Sequence, residues 1–357
     1  MTALAPGAFK GVRVLVTGHT GFKGAWLCEW LLGDGAAVSG LALAPDEDRP
    51  SLFRDLGLES RMESNLGDIR DLATVEVAMQ TFAPEVVFHL AAQALVRRAY
   101  ADPVATFATN VMGSVHVLDA ARRCPSVKAV VCVTSDKCYD NREWVWGYRE
   151  TDPLGGKDPY SASKGAAEIV AGSYLQSVYP PSIGLATARG GNVVGGGDWS
   201  EDRLVPDLAR AIGEGRQMVL RNPGALRPWQ HVLELLRGYL ILGHGLLTGL
   251  PVQGSWNFGP NRENEITVAD MCERFVRAWG GQDAFAPVVE PSPLSEAQTL
   301  RLDISKAHAL LGWSPALGID ETLRMTADWY RARSMSPDVA AQLTREQISA
   351  YQALTAA

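Results

Sequence analysis

The chain has 357 residues, 46% of them hydrophobic and 20% charged, with 40 acidic against 33 basic side chains and a net charge of −7. That length suits one large α/β unit carrying a smaller second lobe, and the composition is that of an ordinary soluble protein able to bury a full core. Mild acidity gives no electrostatic footprint for nucleic acid, so an anionic substrate would need a local basic pocket. The cysteines, Cys28, Cys124, Cys132, Cys138 and Cys272, are odd in number and scattered without a CxxC pair, which makes a reducing cytoplasm the simplest expectation. The opening MTALAPGAFK lacks the apolar core of a signal peptide. The most apolar stretch, Leu233 to Leu250, is interrupted by Glu234, Arg237, His244 and glycines, and reads as a buried helix and its exit, with no membrane partner expected.

From Val12 to Val16 a β-branched run, VRVLV, ends in a glycine-rich turn, and Ala25 to Leu32 then has helical spacing. A second strand is expected at Ala37 to Ala42. Apolar runs at Val86 to Ala91, Ala129 to Thr134 and Ile183 to Ala188 alternate with long helical segments. Alternating strands and helices predict an α/β fold with a parallel sheet covered on both faces, and the right-handed crossover rule makes it a doubly wound, Rossmann-type sheet. After Arg189 the rhythm breaks into GGNVVGGGDWSEDRLVPD, shorter elements and a proline-rich stretch at Pro287 to Pro293, where a smaller C-terminal substrate-binding lobe is expected. The chain returns to the first domain around Val232 to Asn257. The expected division is therefore 10–188 with about 230–258 for dinucleotide binding, about 189–229 with 259–335 for the lobe, and 336–357 as a C-terminal helical tail.

The string TGHTGFKG places Gly18, Gly21 and Gly24 between a strand and a helix, with Thr20 and Phe22 among them. Such glycines serve a tight turn, close approach to a pyrophosphate, and close helix–strand packing, with the helix N-terminus supplying donors and a positive dipole. A GxxGxxG alone is also a plain packing turn, so the flanking strand and helix carry the signal. Downstream, Asp68 and Ile69 could clasp an adenine at the end of a third strand; Asp68 could equally cap a helix before Leu72. Leu90, Ala91 and Ala92 follow the next strand on the same edge. The acid that would hold a ribose 2′-hydroxyl is absent until Asp46, and no arginine stands ready for a 2′-phosphate; NAD is expected over NADP.

Tyr160 and Lys164 in YSASK lie at i and i+4, on one helical face. A lysine charge at about 6 Å in an effective dielectric of about 20 supplies near 3 kcal/mol towards ionising a phenol. YxxxK also occurs on exposed helix faces, and Ser135, ending VVCVTS, is otherwise a routine turn residue; only the trio together is informative. Asp136 and Lys137 follow. They read either as a surface ion pair or as an added acid and base, which hydride transfer does not need but the elimination of water does.

These strings, TGHTGFKG, TSDKCY, YRETDPLGGKDPYSASK, GNVVGGGDW with EDRLVPD, and RPWQHV, resemble those of the CDP-glucose 4,6-dehydratases within the extended short-chain dehydrogenase/reductase superfamily, from about Val12 to about Tyr330. The resemblance implies an NAD-dependent lyase in which Tyr160 is the base at the C4 hydroxyl. It makes Lys164 the pKa partner of that tyrosine and a ribose ligand, Ser135 its hydrogen-bonding neighbour, and Asp136 the acid that protonates the departing C6 hydroxyl. Lys137 stands where the dTDP-glucose enzymes carry the glutamate that removes the C5 proton, which leaves the C5 base open because a lysine must be neutral to act. Asn192, Arg203 and Arg227 correspond to residues near the nucleotide diphosphate, with Arg221 and Arg301 as weaker candidates. The helices around Phe107 to Ala121 and Tyr160 to Tyr179 resemble a four-helix dimer interface, and a homodimer or homotetramer is implied. The rival activities are a nucleotide-sugar 4-epimerase and a non-catalytic dinucleotide-binding regulatory protein. No metal is expected, since His19, His89, His116, His231, His244 and His308 show no ligand spacing.

Overall fold

The computed structural model describes residues 4–281, 287–290 and 299–356; the end of the proline-rich stretch, 291–293, lies outside them. In chain order the strands are β1 (Arg13–Thr17), β2 (Ala37–Ala42), β3 (Glu63–Leu66), β4 (Val86–His89), β5 (Ala129–Val133) and β6 (Gly184–Gly190). There follow β7 (Asn192–Val194), β8 (Val219–Leu220), β9 (Leu226–His231), β10 (Gly254–Phe258), β11 (Glu265–Thr267) and β12 (Val288–Val289). The helices of the first half are α1 (Phe22–Gly33), α2 (Leu52–Asp55), α3 (Leu72–Phe82), α4 (Val96–Ala101), α5 (Pro103–Phe107), α6 (Gly113–Arg123) and α7 (Pro159–Ser173). Those of the second are α8 (Leu204–Gly213), α9 (Val232–Leu247), α10 (Val268–Trp279), α11 (Ile319–Met335) and α12 (Pro337–Thr355).

Seven parallel strands form the main sheet in the order β10-β6-β5-β4-β1-β2-β3. The expected doubly wound sheet is therefore present, and the order reverses between β1 and β4, where the open crevice of such a sheet lies. Strand alternation splits the core: Val14, Val16, Phe88 and Val131 pack on the face covered by α1 and α9, while Leu15, Val87 and Val130 pack on the face of α3 and α6. Two small sheets stand off the main one, β11-β9-β7 and β12-β8, both built from the chain beyond Gly190. The apolar stretch expected as a buried helix is α9, almost wholly inside the core. Helix α12 packs on α11, α1 and α2, pinned by Arg345 to Glu29 at 2.8 Å and by a hydrogen bond from Tyr351 to Glu234.

Several ends differ from the sequence expectation. Helix α1 begins at Phe22, three residues before the apolar spacing, because Gly21 in an extended conformation serves as its N-cap. β4 stops at His89 and β5 at Val133, so Leu90 to Ala92 and Ser135 stand on the loops beyond the sheet's carboxyl edge. The long helix expected through 107–121 passes through a π turn, Ala108–Met112, and the one through 160–179 ends in another, Tyr174–Val178. Among the described residues no helix is long and apolar enough to cross a membrane.

Candidate active site

The glycine turn is built as its spacing required. Gly18 has φ +79°, and a Cβ there would lie 2.8 Å from the Ala91 amide nitrogen, so the loops after β1 and β4 cross at backbone contact. A Cβ on Gly24 would collide with the Gly18 carbonyl oxygen, so only glycine lets α1 abut the turn. The free N–H groups of the first turn of α1, from Phe22 onward, thus face the crevice. Thr20 Oγ1 donates to the Leu43 carbonyl at 2.9 Å and ties the turn to the end of β2. His19 is buried beneath, with Nε2 2.8 Å from Ser64 Oγ; burial lowers its pKa to about 4.

Beyond β3 the expected helix cap is corrected. Asp71, not Asp68, caps α3, accepting from the Ala73 amide, while Asp68 accepts from the backbone and guanidinium of Arg70. The cause is spacing, since Asp71 is the residue immediately before Leu72. Ile69 is 4% exposed, packed where a side chain on Gly113 would have to go, and its carbonyl oxygen is 3.0 Å from His116 Nδ1. Its side chain is therefore a core group. Asp46 pairs with Arg49 at 3.3 Å.

A cavity of about 400 Å³ lies over the carboxyl ends of β4, β5 and β6. Ser135, Asp136, Lys137, Tyr160 and Lys164 all line it, with Leu90 and Ala92 beside them. Asn192, Arg203, Arg221 and Arg227 line it from the chain beyond Gly190, so these four substrate candidates and the five catalytic ones share one chamber. Arg301 does not reach its wall. It pairs with Glu265 at 2.6 Å.

The chemistry of the chamber is set by burial. Ser135 donates to Asp136 Oδ1 at 2.9 Å, and its Oγ accepts from the Lys137 amide at 3.2 Å. Desolvation pushes the Asp136 carboxyl above its ordinary range, against the opposing pull of Lys137, Ser135 and Arg227. Gly191 makes room for it: a Cβ there would stand 2.9 Å from Asp136 Oδ2. Lys164 donates to the Val133 carbonyl at 3.4 Å, and burial lowers its pKa to about 8. Tyr160 departs from the expectation of a lysine-depressed phenol. Burial raises it, and the groups that oppose burial are the Ser135 hydrogen bond and Arg203, with Lys164 turned to the strand carbonyl instead.

Two supports were not anticipated from the sequence. Glu168, one turn beyond Lys164, accepts from Arg189 and Thr187 and, through Thr134, ties α7 to the residue before Ser135. Asn110, in the π turn, accepts from the Gln93 amide at 2.8 Å and donates to Ser163 at 2.9 Å, fixing the loop after β4 to the helix of Tyr160. Lys23, Asp198 and Arg97 also line the chamber. Lys23 was missed, and its signal was a basic residue standing between Gly21 and Gly24 of the turn.

The sequence profile described as GDP-mannose 4,6 dehydratase matches residues 15–326. The chain is 48% identical over 355 residues to the CDP-glucose 4,6-dehydratase of Salmonella typhimurium, covering 97% of this chain and 98% of that one. It is 28% identical to the dTDP-glucose 4,6-dehydratase of Streptomyces griseus, over 89% of this chain and 94% of that one. Among solved structures, a dTDP-glucose 4,6-dehydratase from Streptomyces venezuelae with NAD bound superposes with a TM-score of 0.79 at 24% identity, covering 92% of this chain and 100% of that one. A Thermus thermophilus UDP-glucose 4-epimerase in complex with NAD gives a TM-score of 0.75 at 28% identity, over 90% and 99% of the two chains. With the glycine turn, the Ser135, Tyr160 and Lys164 set and this span of similarity in place, the chain belongs to the GDP-mannose 4,6 dehydratase family of nucleotide-sugar enzymes.

Proposed function

We propose that this protein is an NAD-dependent lyase that converts CDP-glucose to CDP-4-keto-6-deoxyglucose. The observation that carries the reading is Asp136: a carboxyl buried beside Ser135 and pushed towards its protonated form is suited to donate a proton to a departing hydroxyl, work that an epimerase does not require. The 48% identity to a CDP-glucose 4,6-dehydratase supports the base and the sugar.

The residues fit a dinucleotide, since the cradle at Gly18 and Gly24 excludes any side chain and puts a helix N-terminus against the crevice. A bound NAD+ would supply the hydride acceptor for oxidation at C4 of the sugar and, once reduced, the hydride for C6. Tyr160 accepts the C4 hydroxyl proton, steadied by Ser135. Lys164 holds the ribose. Asp136 gives its proton to the C6 hydroxyl as water leaves. Lys137 is the candidate for removing the C5 proton, which requires it first to shed its own. Arg203, Arg221 and Arg227, with Asn192, hold the diphosphate, and Arg203 also favours the ionised Tyr160.

In this reading the dinucleotide domain is 10–188 with about 230–258, and the lobe is 189–229 with 259–335. Val104, Phe107 and Met112 are 78%, 39% and 49% exposed and Ile169 on α7 is 63% exposed, which supports a homodimer through these helices. All five cysteines are free and buried, in keeping with a reducing cytoplasm. The test is to incubate the protein with CDP-glucose, with and without added NAD+, and follow the sugar nucleotide by mass spectrometry. Loss of one water without net NADH accumulation is expected; inversion at C4 with unchanged mass would show an epimerase instead.

A further inference from the structure

Asp202 lines the chamber between two arginines that reach it from different elements. Arg221, in the turn after β8, donates to its Oδ1 at 2.7 Å, and Arg97, on α4, approaches the same oxygen at 3.5 Å. Oδ2 has no bonded partner among the described residues, and the Arg97, Asp202 and Arg221 side chains are 38%, 35% and 35% exposed. The backbone of Asp202 has φ +56°, a left-handed conformation that a non-glycine residue keeps only where its surroundings fix it. Ser135, Asp136 and Tyr160, by contrast, are buried on the chamber's floor, and Arg203, next in the chain to Asp202, lies 3.5 Å from the buried Asp198. A nucleotide sugar is a linear molecule. With its hexose on the floor and its diphosphate at Arg203 and Arg227, its base is left at the half-exposed rim where Asp202 stands. A carboxylate there repels phosphate and suits a part of the substrate that offers a hydrogen-bond donor. The other carboxylates of the wall are engaged elsewhere: Asp136 with Ser135, Asp198 with Arg203 and the Ser200 amide, and Asp207 with Arg210 of its own helix.

We propose that Asp202 reads the base: its Oδ2 accepts a hydrogen bond from the 4-amino group of cytosine and turns away uracil and thymine, which carry a carbonyl oxygen at that position. This rests on CDP-glucose being the substrate, and gives the base preference a residue. The two arginines make the preference one-directional. Because both address Oδ1, an amide in this place would keep its oxygen towards them and turn its NH2 to the base, which suits a carbonyl and not an amino group.

The ratio of kcat/KM for water loss from CDP-glucose to that from UDP-glucose, followed by mass spectrometry on the full chain, measures the base preference directly. The wild type is expected to favour CDP-glucose. In Asp202→Asn the ratio should fall about tenfold or more, with a gain on UDP-glucose. Asn tolerates the left-handed backbone and Gly is at ease in it, so neither variant strains the loop. Asp202→Gly should lower the ratio through loss on CDP-glucose alone, and the inhibition constants of CDP and UDP should shift in the same sense. Equal losses on both sugar nucleotides would reduce Asp202 to a support for Arg97 and Arg221 and overturn the proposal. An unchanged ratio in both variants, or a wild type that takes the two substrates equally, would overturn it too. Failure of the wild type to dehydrate CDP-glucose at all would instead overturn the activity beneath it.

Discussion

Glu168 and Arg189 form an ion pair at 2.6 Å with side chains only 1% and 3% exposed, where α7, the helix of Tyr160, packs on β6. Arg189 also donates to Tyr139 at 2.7 Å, and Tyr139 to Asn257 at 2.7 Å, so the pair links α7 to β6, β10 and the turn after Ser135. Burial disfavours the Glu168 charge, but Arg189 and the Thr134 and Thr187 hydroxyls together hold its carboxyl below the ordinary range. Removing one partner strands the other. Arg189→Met is therefore expected to cost about 3–5 kcal/mol in urea unfolding, and the double variant with Glu168→Leu to recover part of that loss. Equal costs for the single and double variants would show that the pair is not what holds the helix.

Asp136→Asn removes the proton donor but preserves shape. Dehydration should slow by about 10² to 10⁴, while oxidation at C4 continues and reduced nicotinamide accumulates in its absorbance band on mixing with substrate. Wild-type dehydration in this variant would sink the acid assignment.

The space beside Asp136 is the next point of control. In Gly191→Ala the new methyl would stand 2.9 Å from Asp136 Oδ2 and push the carboxylate aside. Dehydration is expected to fall about tenfold or more, with C4 oxidation affected less, a split visible in single-turnover mixing. Equal losses in both steps would place Gly191 in general substrate binding.

Acid should destabilise the fold through buried histidines. His89 bonds Thr17 and Ser114 at 2.7 and 3.0 Å, and burial, with a smaller push from Lys164, lowers its pKa to about 3; burial alone lowers His231 to about 3. Both are neutral when folded and protonate near pH 6.5 when unfolded. Their contribution is thus complete above about pH 6.5 and lost as pH falls towards 3, by about 1.4 kcal/mol per pH unit for each group. Urea unfolding between pH 7 and pH 5 should show this decline, and His89→Asn should flatten it; a stability independent of pH in that range would contradict the buried neutral assignment.

The sheet was legible because β1, β4 and β5 are short β-branched runs and the strands alternate with helices, and Ala37–Ala42 has the expected bounds. The meeting of Ser135, Tyr160 and Lys164 in one chamber was legible because Ser135 follows a strand and Tyr160 and Lys164 share a helix face. What escaped depends on distance in sequence: Glu168 meets Arg189 across 21 residues and Asn110 meets Ser163 across 53. Arg301 was indistinguishable by type from Arg203 and Arg227, and only its place outside the chamber wall separates it from them. The state of Tyr160 also escaped, because charge spacing along a helix says nothing of how deeply the phenol is buried.

The most direct test of the internal hydride cycle uses CDP-glucose deuterated at C4. Turnover should yield a product lighter by one water that keeps the deuterium, relocated to the C6 methyl group. Deuterium lost to solvent or left on an external nicotinamide, or a sugar nucleotide of unchanged mass, would contradict it.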